Sequence, residues 1–275
     1  MTVGIAGLGL IGGSFARAYS EKGHEVLASD TDRSVLGIAK LSDAVAGDLD
    51  AESLARCDLV LICLYRKSAE EYLEANAANF GPRPLVIDCC GTKRKITEHG
   101  FTLSEKYGFA YIGGHPMAGT HKSGFSNSRS NLFNNAPMVL VPRSFDRIDL
   151  LERARELLQP AGFGKFSVTT AENHDRVIAF TSQLAHVVSS SYIKSETSRE
   201  CRGFSAGSYR DMTRVAFMNE EMWSELFLDN RDNLVSEIDS LICHLSEYRE
   251  ALESYDREKL KELIAEGRKR KEESN

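Results

Sequence analysis

The chain has 275 residues, of which 42% are hydrophobic and 27% charged, with a formal net charge of −6. That is enough chain for one large domain or two ordinary ones, and it excludes an intrinsically disordered protein and a basic nucleic-acid footprint. No run reaches the about 18 apolar residues of a membrane span, and the six cysteines form no C-x-x-C pair or metal spacing, so a cytoplasmic protein with reduced thiols is expected.

Residues 2–6 read as a short buried strand, which leaves no room for a signal peptide ahead of it. Gly7-Leu8-Gly9-Leu10-Ile11-Gly12 follows at once, and a helical pattern runs over 13–22. This is the G-x-G-x-x-G fingerprint in the strand–turn–helix context that gives it meaning. Gly7 permits the tight turn, Gly9 lets a pyrophosphate approach the backbone, and Gly12 lets helix pack on strand. The helix N-terminus adds free N–H groups and a partial positive charge. A second strand at 25–29 ends in Asp30, where an acidic residue can bind ribose hydroxyls and repel a 2′-phosphate. NAD is therefore expected over NADP, with Arg33 nearby as the residue that could favour the phosphate.

Apolar β-type runs recur at 59–64, 85–87, 110–112, 138–141 and 166–168, with helical stretches such as 68–79 and 150–158 between them. Strands alternating with helices predict a Rossmann-type, doubly wound, mostly parallel sheet. Ligands of such sheets bind beyond the carboxyl ends of the strands. The loop Asp88-Cys89-Cys90-Gly91-Thr92-Lys93 and the stretch Gly113-Gly114-His115-Pro116-Met117-Ala118-Gly119 should therefore line one crevice. The glycines and proline of the second stretch read as a turn that holds His115 beside the nicotinamide. Histidine has an ordinary pKa of about 6.5, so a fixed His115 can serve as a base, and activity should rise with pH through such a group.

Strand signals stop near residue 169, which divides the chain into a dinucleotide-binding domain at 1–169 and a helical domain at 170–275. Helices are expected over 171–200, 208–219, 221–248 and 256–273, with a break at 199–209 that contains Gly203 and Gly207. Stretches such as Ile178-Ala179-Phe180 and Leu241-Ile242-Cys243 make these helices apolar on more than one face, and such a helix needs a partner on each side. A helical dimerisation domain, hence a homodimer, follows. The basic run Arg268-Lys269-Arg270-Lys271 is offset by neighbouring glutamates and reads as a solvated helix end.

Within this half, His186 lies four residues after Ser182 on one helix face, and Arg214 follows at the end of Tyr209-Arg210-Asp211-Met212-Thr213. An arginine fork suits an anionic substrate. The same residues also fit a hydrogen-bonded core histidine and a plain salt-bridge arginine.

Taken together, the chain resembles the prephenate/arogenate dehydrogenase family. The matching residues are Gly7 to Ser14, the block Gly114-His115-Pro116-Met117-Ala118-Gly119-Thr120 with Lys122-Ser123-Gly124, His174-Asp175, Ser182-x-Leu184-x-His186, Thr213-Arg214, Met222-Trp223 and Asn230. The resemblance implies NAD-dependent oxidative decarboxylation of a small dianionic substrate, prephenate or arogenate, in tyrosine biosynthesis. It assigns His115 to the ring hydroxyl as base, and His186 and Arg214 to the carboxylates. His121 and Lys122 fall where the family's substrate loop lies. Many members carry a serine after the Asp88 strand where this chain has Gly91-Thr92, so either Thr92 supplies that hydroxyl or the chain lacks it. Members often carry an acidic residue where this chain has His121, which leaves prephenate and arogenate both open. The regulatory domain that some members carry after the helices is not expected. A β-hydroxyacid or imine-type reductase is the enzymatic alternative, with Lys194 on the long helix as its candidate lysine. An NAD-sensing regulatory protein is the non-enzymatic one.

Overall fold

The computed structural model describes residues 1–120 and 122–274. His121, one of the substrate-site candidates, lies outside the described residues. The first half runs β1 (Thr2–Ala6), α1 (Leu10–Ser20), β2 (Glu25–Ser29), α2 (Arg33–Leu41), β3 (Gly47–Asp48), α3 (Ala51–Leu54), β4 (Leu59–Ile62), α4 (Arg66–Asn76), β5 (Leu85–Asp88), α5 (Arg94–Tyr107), β6 (Ala110–Pro116), β7 (Pro137–Val141), α6 (Ile148–Leu158) and β8 (Lys165–Val168). The second half holds α7 (Ala171–Ile178), α8 (Ala185–Tyr192), α9 (Gly207–Thr213), α10 (Glu220–Asp229), α11 (Arg231–Glu253) and α12 (Arg257–Glu273).

The strands form one sheet in the order β3-β2-β1-β4-β5-β6-β7-β8, parallel except where β7 pairs antiparallel with β6. Successive side chains of a strand point to opposite faces. In β4 and β5, Leu59, Leu61, Leu85 and Ile87 enter one core, and Val60, Ile62 and Val86 enter the other. Phe15 of α1 and Leu158 of α6 cover the first face, and Leu73 of α4 and Ile96 of α5 cover the second. Burial on both faces explains why these strands are unbroken apolar runs instead of alternating ones.

Several sequence expectations change. Helix α1 starts at Leu10, three residues before the anticipated 13, and ends at Ser20. The two-residue strand β3 carried no legible signal. The stretch around His115 is a strand, not a turn: β6 continues to Pro116, with Gly114 opposite Leu140 and His115 opposite Val139. Its glycines serve close approach. A Cβ on Gly114 would lie 2.6 Å from the Ile87 side chain and 2.7 Å from the Asp88 carbonyl oxygen.

In the helical half, the anticipated helix over 171–200 stops at Tyr192. It contains a π-helical turn, Ala179–Leu184, of the kind often found at functional sites. Lys194 therefore lies beyond the helix end, exposed to solvent. The anticipated helix over 221–248 is two helices, because Asn230 leaves the helical conformation at φ −116°, ψ 28°. No helix among the described residues is long and apolar enough to cross a membrane.

Candidate active site

The loop from β1 to α1 has the form of a phosphate cradle. Gly7 adopts φ +88°, which favours glycine, and a Cβ on Gly12 would fall 1.9 Å from the Gly7 carbonyl oxygen. A Cβ on Gly9 would meet nothing within 4 Å, so the space in front of it is open. No side chain caps the N-terminus of α1, which leaves the first helical N–H groups, beginning at Leu10 and Ile11, to a ligand. These residues fit a dinucleotide pyrophosphate.

Asp30 stands at the end of β2, and its carboxylate is held by the backbone N–H groups of Leu8 (2.7 Å) and Asp32 (2.8 Å). Each carboxylate oxygen has a further lone pair, so the group is oriented but not saturated. Arg33 is 83% exposed and reaches only to 3.8 Å from Asp48, so nothing holds it toward the crevice.

Beyond β5 and β6 lies a second, buried constellation. Asp88 and Lys93 are both wholly buried and paired to each other. Asp88 also accepts hydrogen bonds from the Tyr111 hydroxyl (2.7 Å) and the Cys90 backbone N–H (3.0 Å). A buried pair is tolerable only when its remaining hydrogen-bonding capacity is met in this way.

Against this floor, His115 Nδ1 lies 2.9 Å from His174 Nε2, and His174 Nδ1 lies 2.7 Å from an Asp175 oxygen. The carboxylate of Asp175 further accepts the backbone N–H groups of Lys93 (2.7 Å) and Arg94 (3.0 Å). These contacts assign the protons. An ionised carboxylate only accepts, so His174 Nδ1 carries the hydrogen and donates it. Neutral His174 then presents a lone pair at Nε2, and His115 must donate from Nδ1. What remains at His115 Nε2 is a lone pair.

Burial pushes the His115 pKa well below the ordinary histidine value, and the neighbouring His174 and the Lys93 charge add to the effect. The expectation of a group near 6.5 is thereby corrected downward. Burial also lowers His174, against the opposing pull of Asp175. Burial works to raise Asp175, but the His174 bond and the two backbone donors outweigh it and hold the carboxyl below its usual range.

From the helical half come His186, Arg214 and Trp223. His186 Nδ1 donates to the Ser182 carbonyl at 2.8 Å, and its ring lies 3.8 Å from the Trp223 ring between centroids. Burial lowers its pKa, and the charge of Arg214 lowers it further, against the Ser182 bond. Arg214 is exposed at the C-terminus of α9 and makes no ion pair among the described residues. The salt-bridge alternative therefore finds no partner for it there, and its guanidinium is available to an anion.

Two candidates are not gathered with these. Thr92 is buried, at 3% exposure, and no hydrogen bond joins it to His115 among the described residues. A side chain at Gly91 would meet Leu226 of α10 at 3.0 Å, so a leucine crowds the place of a serine at that position. Lys122 is exposed, and its backbone N–H donates to the Thr120 hydroxyl.

The sequence pattern alone gives His174-Asp175 no role. An Asp that follows a His directly on a helix was the available signal. Nor does the pattern single out Arg94, whose guanidinium grips Asp232 (2.7 Å and 2.5 Å), Asn230 (3.1 Å) and Asp175 (3.3 Å), and so ties the sheet half to α7 and α11.

A mostly parallel sheet with a glycine cradle at one strand end and a buried, hydrogen-bonded histidine pair at another is the framework of a dinucleotide-dependent dehydrogenase. Residues 15–166 match the family description "Prephenate dehydrogenase, nucleotide-binding domain" and residues 170–266 match "Prephenate dehydrogenase, dimerization domain". The chain is 30% identical over 280 residues to the cyclohexadienyl dehydrogenase of Zymomonas mobilis, covering 97% of this chain and 94% of that protein. It is 29% identical over 270 residues to the prephenate dehydrogenase of Bacillus subtilis, covering 94% of this chain and 72% of that one. The crystal structure of Synechocystis arogenate dehydrogenase superposes with a TM-score of 0.83 at 25% identity, covering 100% of both chains. The chain belongs to the prephenate dehydrogenase family. A 3-hydroxyisobutyrate dehydrogenase from Mycobacterium tuberculosis shares the fold more distantly, with a TM-score of 0.55.

Proposed function

We propose that the protein is an NAD-dependent prephenate dehydrogenase of tyrosine biosynthesis, converting prephenate to 4-hydroxyphenylpyruvate and CO₂. The observation that carries the chemistry is the unshared lone pair that the Asp175–His174–His115 chain leaves at His115 Nε2. NAD, when bound, supplies the hydride acceptor, with Gly7 to Gly12 against its pyrophosphate and Asp30 toward a ribose hydroxyl. His115 Nε2 takes the proton of the ring hydroxyl, which strengthens the tendency of the carbinol carbon to release hydride. The charge that develops on His115 is shared through His174 with Asp175, while Lys93 stays neutralised by Asp88. Arg214 holds a substrate carboxylate. The ring carboxylate leaves as CO₂ with its bonding electrons retained by the ring, which becomes aromatic.

The reading includes a cytoplasmic homodimer. Six unpaired cysteines among the described residues fit a reducing compartment, and exposed apolar side chains on the helical half, such as Ile242 and Leu245, fit self-association. The test is direct: purified protein with NAD and prephenate should form reduced cofactor and CO₂ in equal amounts. Absence of turnover with prephenate and with arogenate alike would remove the assignment.

A further inference from the structure

Gly13 and Ser14 directly follow the glycine fingerprint, but their side-chain positions do not face the cradle. A Cβ on Gly13 would lie 2.6 Å from the Phe125 ring and 2.9 Å from the Ser128 side chain. Ser14 is wholly buried; its hydroxyl donates to the Leu10 carbonyl (2.7 Å) and accepts the Arg129 backbone N–H (3.0 Å). Arg17 lies four residues after Gly13, on the same face of α1. Its Nε donates to the Ser128 hydroxyl (2.9 Å), and its guanidinium carbon stands 4.6 Å from the centre of the Phe125 ring. Phe125 and Ser128 are buried in this contact.

What is seated on α1 is the connection that leaves the proposed base. Strand β6 ends at Pro116, directly after His115, and the Met117 N–H still bonds to the Pro137 carbonyl (2.9 Å). The chain does not then fold straight back into β7. It enters a single 3₁₀ turn, Phe125–Asn127, through Gly124 at φ +85°. In the sheet, β5 separates β6 from β4, and the first turn of α1 stands over the end of β4, where a Cβ on Gly12 would lie 3.1 Å from Cys63 Cβ. Residues 117–120 thus leave beside the base, and residues 122–125 arrive beside the cofactor cradle. Ligands of such sheets bind beyond these strand ends, so the connection borders the crevice between the two.

Resting on the dehydrogenase reading, we infer that Gly13, Ser14 and Arg17 are positioning residues for the substrate, seating the β6–β7 connection on the cofactor helix so that it forms a fixed wall beside His115. The glycine motif then divides by task. Gly7 to Gly12 serve the dinucleotide, and Gly13 onward serves the substrate side through the connection. The physical gain is preorganisation. A connection ordered before the substrate arrives does not draw its ordering entropy from the binding free energy. Loss of the seat should therefore weaken substrate binding and leave the chemical step and the cofactor alone.

The test compares variants at each end of the motif. Gly13→Ala drives a methyl group into Phe125 and Ser128, and Arg17→Met keeps the apolar stem while removing the charge and the donor. In both, KM for prephenate at saturating NAD should rise by about tenfold, the scale set by losing a charged hydrogen bond together with a cation–π contact. The kcat should stay within about threefold, since uniform binding is what is lost. The Kd for NAD, from calorimetry, should stay within about twofold, because the seat leaves the first helical N–H groups in place. Arg17→Lys keeps a cation over Phe125 and a donor for Ser128, and it should recover most of the loss. Gly9→Ala should do the opposite: its methyl group enters the open space before the cradle and raises Kd for NAD.

Misfolding removes active molecules and lowers kcat at unchanged KM, so this split separates positioning from mere stability. Should Gly13→Ala fail to fold, Arg17→Met carries the test, because its side chain is only half-buried. A prephenate KM within twofold of wild type in Arg17→Met, or a rise in Kd for NAD equal to the rise in KM, would overturn the inference. Wild-type turnover in the same assay bears on the dehydrogenase reading separately, so the two failures are told apart.

Discussion

At the scale of single residues, the site depends on who carries each proton. His115→Asn keeps a polar group at the end of β6 but cannot accept the hydroxyl proton, so kcat should fall by about 10²–10⁴ while NAD affinity stays the same. A variant within threefold of wild type would remove His115 from the chemistry. Because burial, His174 and Lys93 keep the His115 pKa well down, protonation should silence the base only in distinctly acidic solution. The plot of kcat against pH should thus rise at low pH and already be flat at pH 6.5. A midpoint at or above 6.5 would contradict the buried environment beside His174 and Lys93 described for the ring.

Asp175→Asn tests the chain behind it. The amide can turn its NH₂ toward His174, which reverses the tautomer of His174 and then takes the acceptor role from His115 Nε2. A loss in kcat of about 10²–10⁴ is expected with the fold intact, by analogy with an Asp that orients a catalytic histidine. Since the same carboxylate accepts from Lys93 and Arg94, thermal melting must be compared alongside. A fall in kcat that only tracks lost stability would leave Asp175 as a structural residue. Arg214→Ala should cost ~2–5 kcal/mol in kcat/KM if the guanidinium meets a desolvated carboxylate. A change confined to KM points to the side-chain carboxylate, and a combined change in kcat points to the carboxylate that departs. Steady-state constants within twofold of wild type would end the clamp assignment.

At the scale of elements, β6 shows why the backbone around His115 must be so plain. Gly114 sits where β5, β6 and β7 meet, and two of the atoms that a methyl group would strike are the Asp88 carbonyl oxygen and Met138 Cε, both at 2.7 Å. The backbone carbonyl cannot move aside without disturbing the sheet. Gly114→Ala should therefore lower stability by about 1–3 kcal/mol, read from denaturant unfolding, and should displace His115 so that kcat falls as well. An unchanged midpoint would show that β6 has more room than these distances allow.

The same strand marks the limit of what the sequence disclosed. The glycine fingerprint, the parallel sheet and the chemical candidates His115, His186 and Arg214 were legible because each depends on local pattern or residue type. The extended form of Gly113-Gly114-His115-Pro116 was not, since glycine and proline signal a turn unless a partner strand such as β7 is already in place. Helix ends were misjudged for similar reasons. Asn230 breaks the helix between α10 and α11 because its side chain is spent on the Asp175 carbonyl (2.7 Å) and Gln183 (2.8 Å), distant in sequence. His174 and Lys93 acquire their roles only when α7 comes down on the β5 loop.

For the whole molecule, the decisive feature is the surface that the helical half leaves uncovered. Helix α11 spans 23 residues and buries only Leu234 and Ala251. Ile242 is 56% exposed, Leu245 58% and Leu252 61%, and Phe180 in the π turn is 61% exposed. Exposed apolar residues concentrated on one set of helices mark an interaction surface, and the proposed homodimer would bury it against the same surface of a second copy. In a two-fold interface each substitution appears twice, so one buried charge per chain places two in the contact. Ile242→Glu should therefore convert a dimer into monomers in sedimentation velocity at micromolar concentration. The monomer should keep its far-ultraviolet circular dichroism, because Ile242 lies outside both cores of the sheet half. Activity should fall with dissociation, since the helices that carry His186 and Arg214 lose the packing that steadies them. Raising the protein concentration of a partially dissociated variant should restore activity in parallel with the dimer fraction. A variant that remains dimeric, or a wild-type protein that sediments as a monomer, would show that this face of α11 is not where two copies meet.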